Sequence, residues 1–289
     1  MKAKKFLGCV AIAAGSAVAA AGLACALVAP RHGDPVIDQQ WREIARYRYA
    51  HRGLHCEGVP ENSMAAFLRA REFGFGVELD VHLTADGELV VIHDSDIRRM
   101  CGRDGIVEEM TLSELRECRL LDTDEQIPTF DEVLSVFDCD PTGESKMPAP
   151  VIVEIKVHNG NYAELCERVM RCLDDHLVRC CVESFDPHAV AWMRQNRPEV
   201  IRGQLAWNYW PEQQRPLYER IGGTALLSNV ATRPDFVAYR FSDRYNPAVR
   251  LSCDVLGGHL VVWTVRNEQD LRAAEAAGAV VIFEGFLPE

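Results

Sequence analysis

Residues 76–94 read GVELDVHLTADGELVVIHD. The stretch opens with alternation: Val77, Leu79, Val81 and Leu83 on one side, Glu78, Asp80 and His82 on the other. Side chains alternate along a strand with a period of two, so Glu78 and Asp80 share a face. Two carboxylates on a buried strand face are costly unless compensated. A hard cation bound through oxygen ligands is a common compensation; an edge strand with solvated charges is the plainer reading of the same letters. Asp86-Gly87 is a strong hairpin signal. The apolar run 89–92 then brings the chain back to His93-Asp94. One hairpin therefore carries two carboxylates and an imidazole close together.

Further strand-like runs cover 47–51, 151–156, 179–184, 200–205, 235–239, 260–265 and 280–283, with helical patterns over 62–73, 162–176, 187–196 and 268–277 between them. Near-continuous apolar strands separated by helices are what a covered parallel sheet requires. About eight such units in about 250 residues predict an α/β fold, a (β/α)8 TIM barrel. An open doubly wound sheet is the alternative. Residues 94–150 break the rhythm. They hold a capping box, Thr111-Leu112-Ser113-Glu114, and Pro128-Thr129-Phe130, and read as an insertion after the second strand. There is no internal repeat.

The 289 residues fit two domains, or one barrel of residues 41–289 with a tail. A net charge of −12 argues against a nucleic-acid partner, because phosphate backbones demand clustered Lys and Arg. The chain has 11 cysteines and no Cys-x-x-Cys. A disulfide framework is not the natural reading at this length; small buried thiols, suited to a reducing environment, are.

Lys2, Lys4 and Lys5 precede an uncharged run over 6–30. As a helix it would span roughly 37 Å at about 1.5 Å per residue, enough for a hydrocarbon core of about 30 Å. A cleaved signal peptide has an apolar core of only about 7–15 residues. The expectation is an uncleaved single-pass anchor over 1–30 and a polar linker over 31–40. Val18-Ala19-Ala20 would serve as a cleavage site, and Cys25 is a poor match to a lipoprotein acceptor. The lysines place the barrel outside the cytoplasm; the thiol content favours the other side.

Chemistry in such barrels sits at the carboxyl ends of strands. The polar residues there are His51 and Arg52 on the first strand, Glu78 and Asp80 on the second, and Glu154 and Lys156 on the third. Glu154 and Lys156 are again spaced by two. They can simply pair with each other, or join Glu78 and Asp80 in one site. Three carboxylates on adjacent strands form an oxygen-donor set for Mg²⁺ or Ca²⁺, not for zinc.

Six motifs occur in order: Ala50-His51-Arg52-Gly53, Pro60-Glu61-Asn62-Ser63, Glu78-Leu79-Asp80-Val81, His93-Asp94, Glu154-Ile155-Lys156 and Trp263-Thr264-Val265. In order and spacing they resemble the glycerophosphodiester phosphodiesterase family over about residues 47–288. The resemblance implies a TIM barrel with an insertion like 94–150 that hydrolyses glycerophosphodiesters to glycerol 3-phosphate and an alcohol. It implies that Glu78, Asp80 and Glu154 hold one divalent cation, that His51 and His93 are the acid–base pair, and that Arg52 and Lys156 hold the phosphate. Which histidine is the acid stays open, as does direct water attack against prior attack by a glycerol hydroxyl. Trp263 is expected either beside the glycerol moiety or in the core. Glu61 reaches the metal, a histidine or Arg52, or is a first-turn helix charge. His82 is a candidate support on the carboxylate face. His55 reads as solvated, and His259 has no assigned partner.

Two stretches depart from the family pattern. Arg99-Met100-Cys101-Gly102 stands where many relatives carry Arg-Thr-Thr, and Phe283-Glu284-Gly285-Phe286 where many carry Thr-Asp. They bear on the alcohol headgroup. Two other functions compete: a lysophospholipase D acting on membrane lipids, and a non-catalytic membrane-tethered binding barrel. Parallel assays on glycerophosphocholine and lysophosphatidylcholine, with and without chelator, separate the three.

Overall fold

The structure is a computed structural model that describes residues 29–31, 33–139 and 148–289. The expected anchor, apart from residues 29 and 30, lies outside them. Among the described residues no helix is long and apolar enough to cross a membrane.

Nine strands form one sheet: β1 Tyr49–His51, β2 Gly76–Leu83, β3 Leu89–Val91, β4 Val151–Ile155, β5 Cys180–Ser184, β6 Arg202–Ala206, β7 Phe236–Arg240, β8 His259–Val265 and β9 Val280–Phe283. All except β3 run parallel, and β1 pairs with both β2 and β9, so eight strands close into a barrel. The hairpin forms as the sequence predicts. β3 runs antiparallel to the end of β2, with Val81 opposite Val91 and Leu83 opposite Leu89, and Gly87 turns the chain at φ 84°.

Among the described residues there are eleven α-helices: α1 Pro35–Ile44, α2 Met64–Phe73, α3 Arg98–Cys101, α4 Leu112–Arg116, α5 Phe130–Phe137, α6 Tyr162–Asp174, α7 Pro187–Asn196, α8 Leu217–Thr224, α9 Asn229–Thr232, α10 Pro247–Arg250 and α11 Glu268–Ala276. Every residue of β2 and β4 is buried, because helices cover the outside and side chains fill the inside. Gly203 on β6 is part of that filling: a Cβ there would fall 2.1 Å from the Phe236 ring.

The expected linker 31–40 is mostly helix. Asp34 caps α1 by accepting from the Val36 and Ile37 N–H groups, and Pro35 sits in its first turn. Ile37, Trp41 and Ile44, spaced four and three apart, point inward and are buried. Trp41 stacks on Phe236 at 5.4 Å and on His259 at 4.4 Å, so α1 stops the amino end of the barrel and packs on the His259 ring. Arg31 joins the same floor through Asp235, 2.6 Å away at the start of β7.

Residues 94–150 divide rather than forming one insertion. Ile97, Met100, Val107, Leu115, Cys118, Leu120 and Ile127 build a small core of their own with Val90 and Ile92. Phe130, Val133, Leu134 and Phe137 on α5 pack instead in the barrel core. A second capping box, Thr129 with Glu132, starts that helix, so the inserted unit ends just before it.

Candidate active site

Strand register assembles the acids. Asp80 on β2 lies beside Glu154 on β4, and Glu154 lies beside Glu183 on β5. His51 at the end of β1 lies beside Glu78. Glu78, Asp80, Glu154 and Glu183 are 2%, 0%, 6% and 2% exposed. Each of Glu78, Asp80 and Glu154 offers an oxygen within 4.8 Å of those of the other two. The three predicted acids therefore converge.

Their ionisation follows from burial and neighbours. Burial, then Asp80, Glu154 and Glu183, push Glu78 well above the usual carboxylate range. Burial and the nearby Glu154 do the same to Glu183. Burial raises Glu154 to about 7, against the pull of Lys156. Asp80 goes the other way: burial opposes its ionisation, but Lys156, His93, Arg52 and Asn62 hold it well below the usual range. Lys156 Nζ stands 2.9 Å from Asp80 and 2.7 Å from Glu154. Burial would lower its pKa, yet those two acids hold it above the usual lysine range. Four buried carboxylates face two cations, Arg52 and Lys156. With all four ionised they would carry two charges more than those cations supply, which one divalent cation would balance, and Glu183 Oε2 is buried with no hydrogen-bond partner. The donors are oxygens, as Mg²⁺ and Ca²⁺ require, so the residues present fit such an ion.

The loop after β1 holds the acids from above. Arg52 and Asn62 both sit in the left-handed region, φ 56° and 53°, a strain that clusters at working sites. Gly53 follows at φ 79°, where a Cβ would meet Ala66 at 2.9 Å. The Arg52 backbone N–H donates to Glu78 at 3.2 Å, and its Nη1 donates to Glu61 at 2.7 Å. Its Nε stands 3.4 Å from Asp80. Asn62 Nδ2 donates to Asp80 at 2.8 Å. Glu61 also accepts from Arg99 at 2.7 Å, so it bridges two guanidinium groups rather than joining the acids.

Both predicted histidines reach the site. His51 Nε2 is 3.9 Å from Glu78, and Nδ1 is 3.6 Å from Glu284. Burial lowers the His51 pKa, with Glu284 opposing. His93 Nδ1 is 2.6 Å from Asp94. Burial, aided by Lys156 and Arg52, lowers His93 to about 4 against the opposing Asp80. His82 sits behind it, buried, with Nδ1 2.6 Å from Glu108 and Nε2 3.1 Å from the His93 carbonyl. His55 is not simply solvated: its Nε2 is 3.4 Å from Glu284.

A cavity of about 480 Å³ opens over these groups. His51, Arg52, Glu78, His93, Glu154 and Lys156 line one side, and Phe185, Trp207 and Trp263 the other. Trp263 is thus a wall of the site, and its buried Nε1 has no hydrogen-bond partner.

The sequence reading missed four contributors. Glu183 is a single charge in an apolar run, and only register shows that it extends the acidic row. Asn62 lay inside a quoted motif without a role. Glu284, noted only as a departure, lies between His51 and His55. Arg99, the residue that the first departing stretch shares with the family pattern and to which no role was given, ties Asp94 to Glu61. Asp131, Cys172 and His176 also bring donor atoms within 4.8 Å of one another. There both His176 ring nitrogens already meet carboxylates, Asp138 at 3.0 Å and Asp131 at 3.1 Å, and the group lies on α5, on α6 and in the bend after α6.

Fold and site together define a TIM-barrel enzyme whose acidic centre, paired imidazoles and cationic side chains share one mouth. The chain matches the model of the glycerophosphoryl diester phosphodiesterase family over residues 51–285, and it belongs to that family. It is 29% identical over 243 residues to a glycerophosphodiester phosphodiesterase of Caldanaerobacter subterraneus subsp. tengcongensis, covering 79% of this chain and 89% of that one. It is 35% identical over 205 residues to "Probable glycerophosphodiester phosphodiesterase 2" of Mycobacterium tuberculosis, covering 66% and 76%. Its fold matches an Oleispira antarctica phosphodiesterase solved with the product sn-glycerol-3-phosphate, at TM-score 0.65 and 22% identity over 82% of this chain and 92% of that one.

Proposed function

We propose that this chain is a metal-dependent phosphoric diester hydrolase that cleaves glycerophosphodiesters to glycerol 3-phosphate and an alcohol. The observation that carries the reading is the convergence of Glu78, Asp80 and Glu154 under two histidines. A divalent cation at those three carboxylates, Mg²⁺ or Ca²⁺, would supply Lewis-acid charge to a phosphoryl oxygen.

The chain's own residues do the rest. Arg52 offers a planar fork to phosphate oxygens, and Lys156 a point charge. Both stand where negative charge grows as the phosphorus is attacked. Asp94 engages His93 Nδ1, which leaves Nε2 as the ring atom for proton transfer. Glu284 likewise faces Nδ1 of His51. Burial favours the neutral ring at both positions, which suits the imidazole that takes a proton; the one that returns a proton to the leaving alkoxide must first carry it. The Trp263 indole N–H is a donor available to a substrate oxygen.

Location is part of the same reading. The uncharged run 6–30 after three lysines supports a single-pass anchor with the barrel outside the cytoplasm.

The test is release of glycerol 3-phosphate from glycerophosphoethanolamine, with chelator and then with added Mg²⁺, Ca²⁺ or Mn²⁺. Activity that chelation removes and an ion restores is expected. No hydrolysis with any of the three ions sinks the reading.

A further inference from the structure

We propose that Glu108, on the inserted unit, is a positioning residue for the reaction: it fixes the His82 ring, and His82 fixes the backbone from which His93 reaches the substrate. The inference rests on the phosphodiesterase reading above and deepens it at one of its two imidazoles.

The hydrogen bonding of the hairpin onto β2 reaches Ile92, whose N–H donates to the Asp80 carbonyl at 3.1 Å. His93 is the next residue. Its carbonyl is taken by His82 Nε2 at 3.1 Å. A carbonyl only accepts, so Nε2 carries the proton there. His82 Nδ1 lies 2.6 Å from Glu108 Oε1. An imidazole is rigid, so a carboxylate pinning one nitrogen aims the other. Asp94 grips the His93 ring itself; Glu108 and His82 grip the peptide that carries the ring.

Glu108 is itself held. It sits in a single helical turn, Val107–Glu109. Val107 is buried in the small core of the inserted unit, and its N–H donates to the Ser95 carbonyl at 2.9 Å. Ile106 pairs with Asp96 along the same seam. The inserted unit therefore runs directly against the residues that follow His93-Asp94. Ser95 Oγ donates to Glu108 Oε1 at 3.1 Å. The Glu108 and His82 side chains are 8% and 3% exposed. Burial opposes ionisation of Glu108, yet the His82 contact holds its carboxyl below the usual range.

A buried carboxylate with an unmade hydrogen bond is costly. Glu108 Oε2 is such an atom; it faces His158 Nδ1 at 3.7 Å, two residues past Lys156. Neither Glu108 nor His82 lines the cavity over the acids, whereas His93 and Lys156 do. Whatever Glu108 does for the reaction therefore passes through the residues it holds. The path to His93 has two short contacts, at 2.6 and 3.1 Å; the path towards Lys156 begins with a gap of 3.7 Å. Proton transfer is sensitive to such placement, and a shift of about 1 Å can cost about 10²-fold.

The experiment measures kcat, KM and metal dependence on glycerophosphoethanolamine for Glu108→Ala and Glu108→Gln, each in the native chain and in a His93→Ala background, with melting temperatures confirming the fold. Glu108→Ala releases the His82 ring and should lower kcat by roughly 10–100-fold, with KM and the half-saturating metal concentration changed by no more than about two-fold. Glu108→Gln should recover most of that loss, because its amide can donate to Nδ1 and leave the Nε2 proton on the His93 carbonyl. In the His93→Ala background Glu108→Ala should cost nothing further, since the group it aims is gone. A general structural role would lower kcat equally in both backgrounds, and a route through His158 to Lys156 would persist without His93; either result overturns the proposal. A native kcat in Glu108→Ala, or a Glu108→Gln no faster than Glu108→Ala, overturns it too while leaving the phosphodiesterase reading intact. A native chain that hydrolyses the diester with none of Mg²⁺, Ca²⁺ and Mn²⁺ would instead remove that reading and this one together.

Discussion

Lys156 Nζ lies 2.7 Å from Glu154 Oε1, two residues back on the same strand face. It also reaches Asp80 on the neighbouring strand. Mutual pairing and membership of a site, the two readings open for Glu154 and Lys156 in the sequence, thus both hold. Lys156 keeps two buried acids tolerable.

Lys156→Met removes that compensation. Breaking a buried ion pair by deleting one partner costs roughly 3–5 kcal/mol. The metal-free variant should unfold at lower urea than the metal-free parent by about that amount, and saturating Mg²⁺ or Ca²⁺ should recover part of the loss. Equal urea midpoints in EDTA would show that the acids do not depend on Lys156.

Metal affinity should rise with pH. Burial raises Glu154 to about 7 in the metal-free fold, against about 4.5 for an ordinary glutamate. Between those values the folded metal-free chain binds a proton that the unfolded chain has released. Its stability from this group is therefore full below about pH 4.5 and is lost as pH rises through about 7. An ion needs the carboxylate bare, so binding must expel that proton. Calorimetric titration in two buffers of different ionisation enthalpy should register proton release at pH 6 and less at pH 8. Identical heats in both buffers at pH 6 would contradict it.

Asn62 holds Asp80 through its side-chain amide and does not line the cavity over the acids. Partners that orient metal ligands typically matter by about 10–100-fold, and Asn62→Ala should weaken metal binding by that factor. At saturating metal, kcat should largely recover. A kcat that stays low at every metal concentration would mean that Asn62 acts on the phosphate instead.

Removing either imidazole, by His51→Ala or His93→Ala, should lower kcat by roughly 10²–10⁴-fold. Glu284→Gln is milder and has a direction. Glu284 raises His51, so its loss lets that imidazole drop further. The acid limb of kcat/KM, measured at saturating metal, should move to lower pH. A limb that stays put would detach Glu284 from His51.

What could be read from the letters was periodic or adjacent. The alternation of 76–83 gave a strand face with two acids, and Glu154 with Lys156 repeated the spacing, so the barrel and most of its acidic centre were legible. α1 was obscured because Asp34, Pro35 and Asp38 give its start a polar look, although Ile37, Trp41 and Ile44 carry a helical spacing. Glu183 needed the pairing of β4 with β5, which no local pattern reveals. Glu284 meets His51 and His55 only after the last strand closes on the first. Those contacts are tertiary, and a lone charge in a loop gives no periodic signal.

Trp41 and Arg31 secure the barrel at its floor, while the acids open at the opposite rim. A tether attached upstream of Arg31 would therefore hold the enzyme by its base with the mouth turned away from the surface it stands on. Amphiphiles lying in that same leaflet would then be out of reach, and a tethered form would draw its substrate from molecules arriving by diffusion.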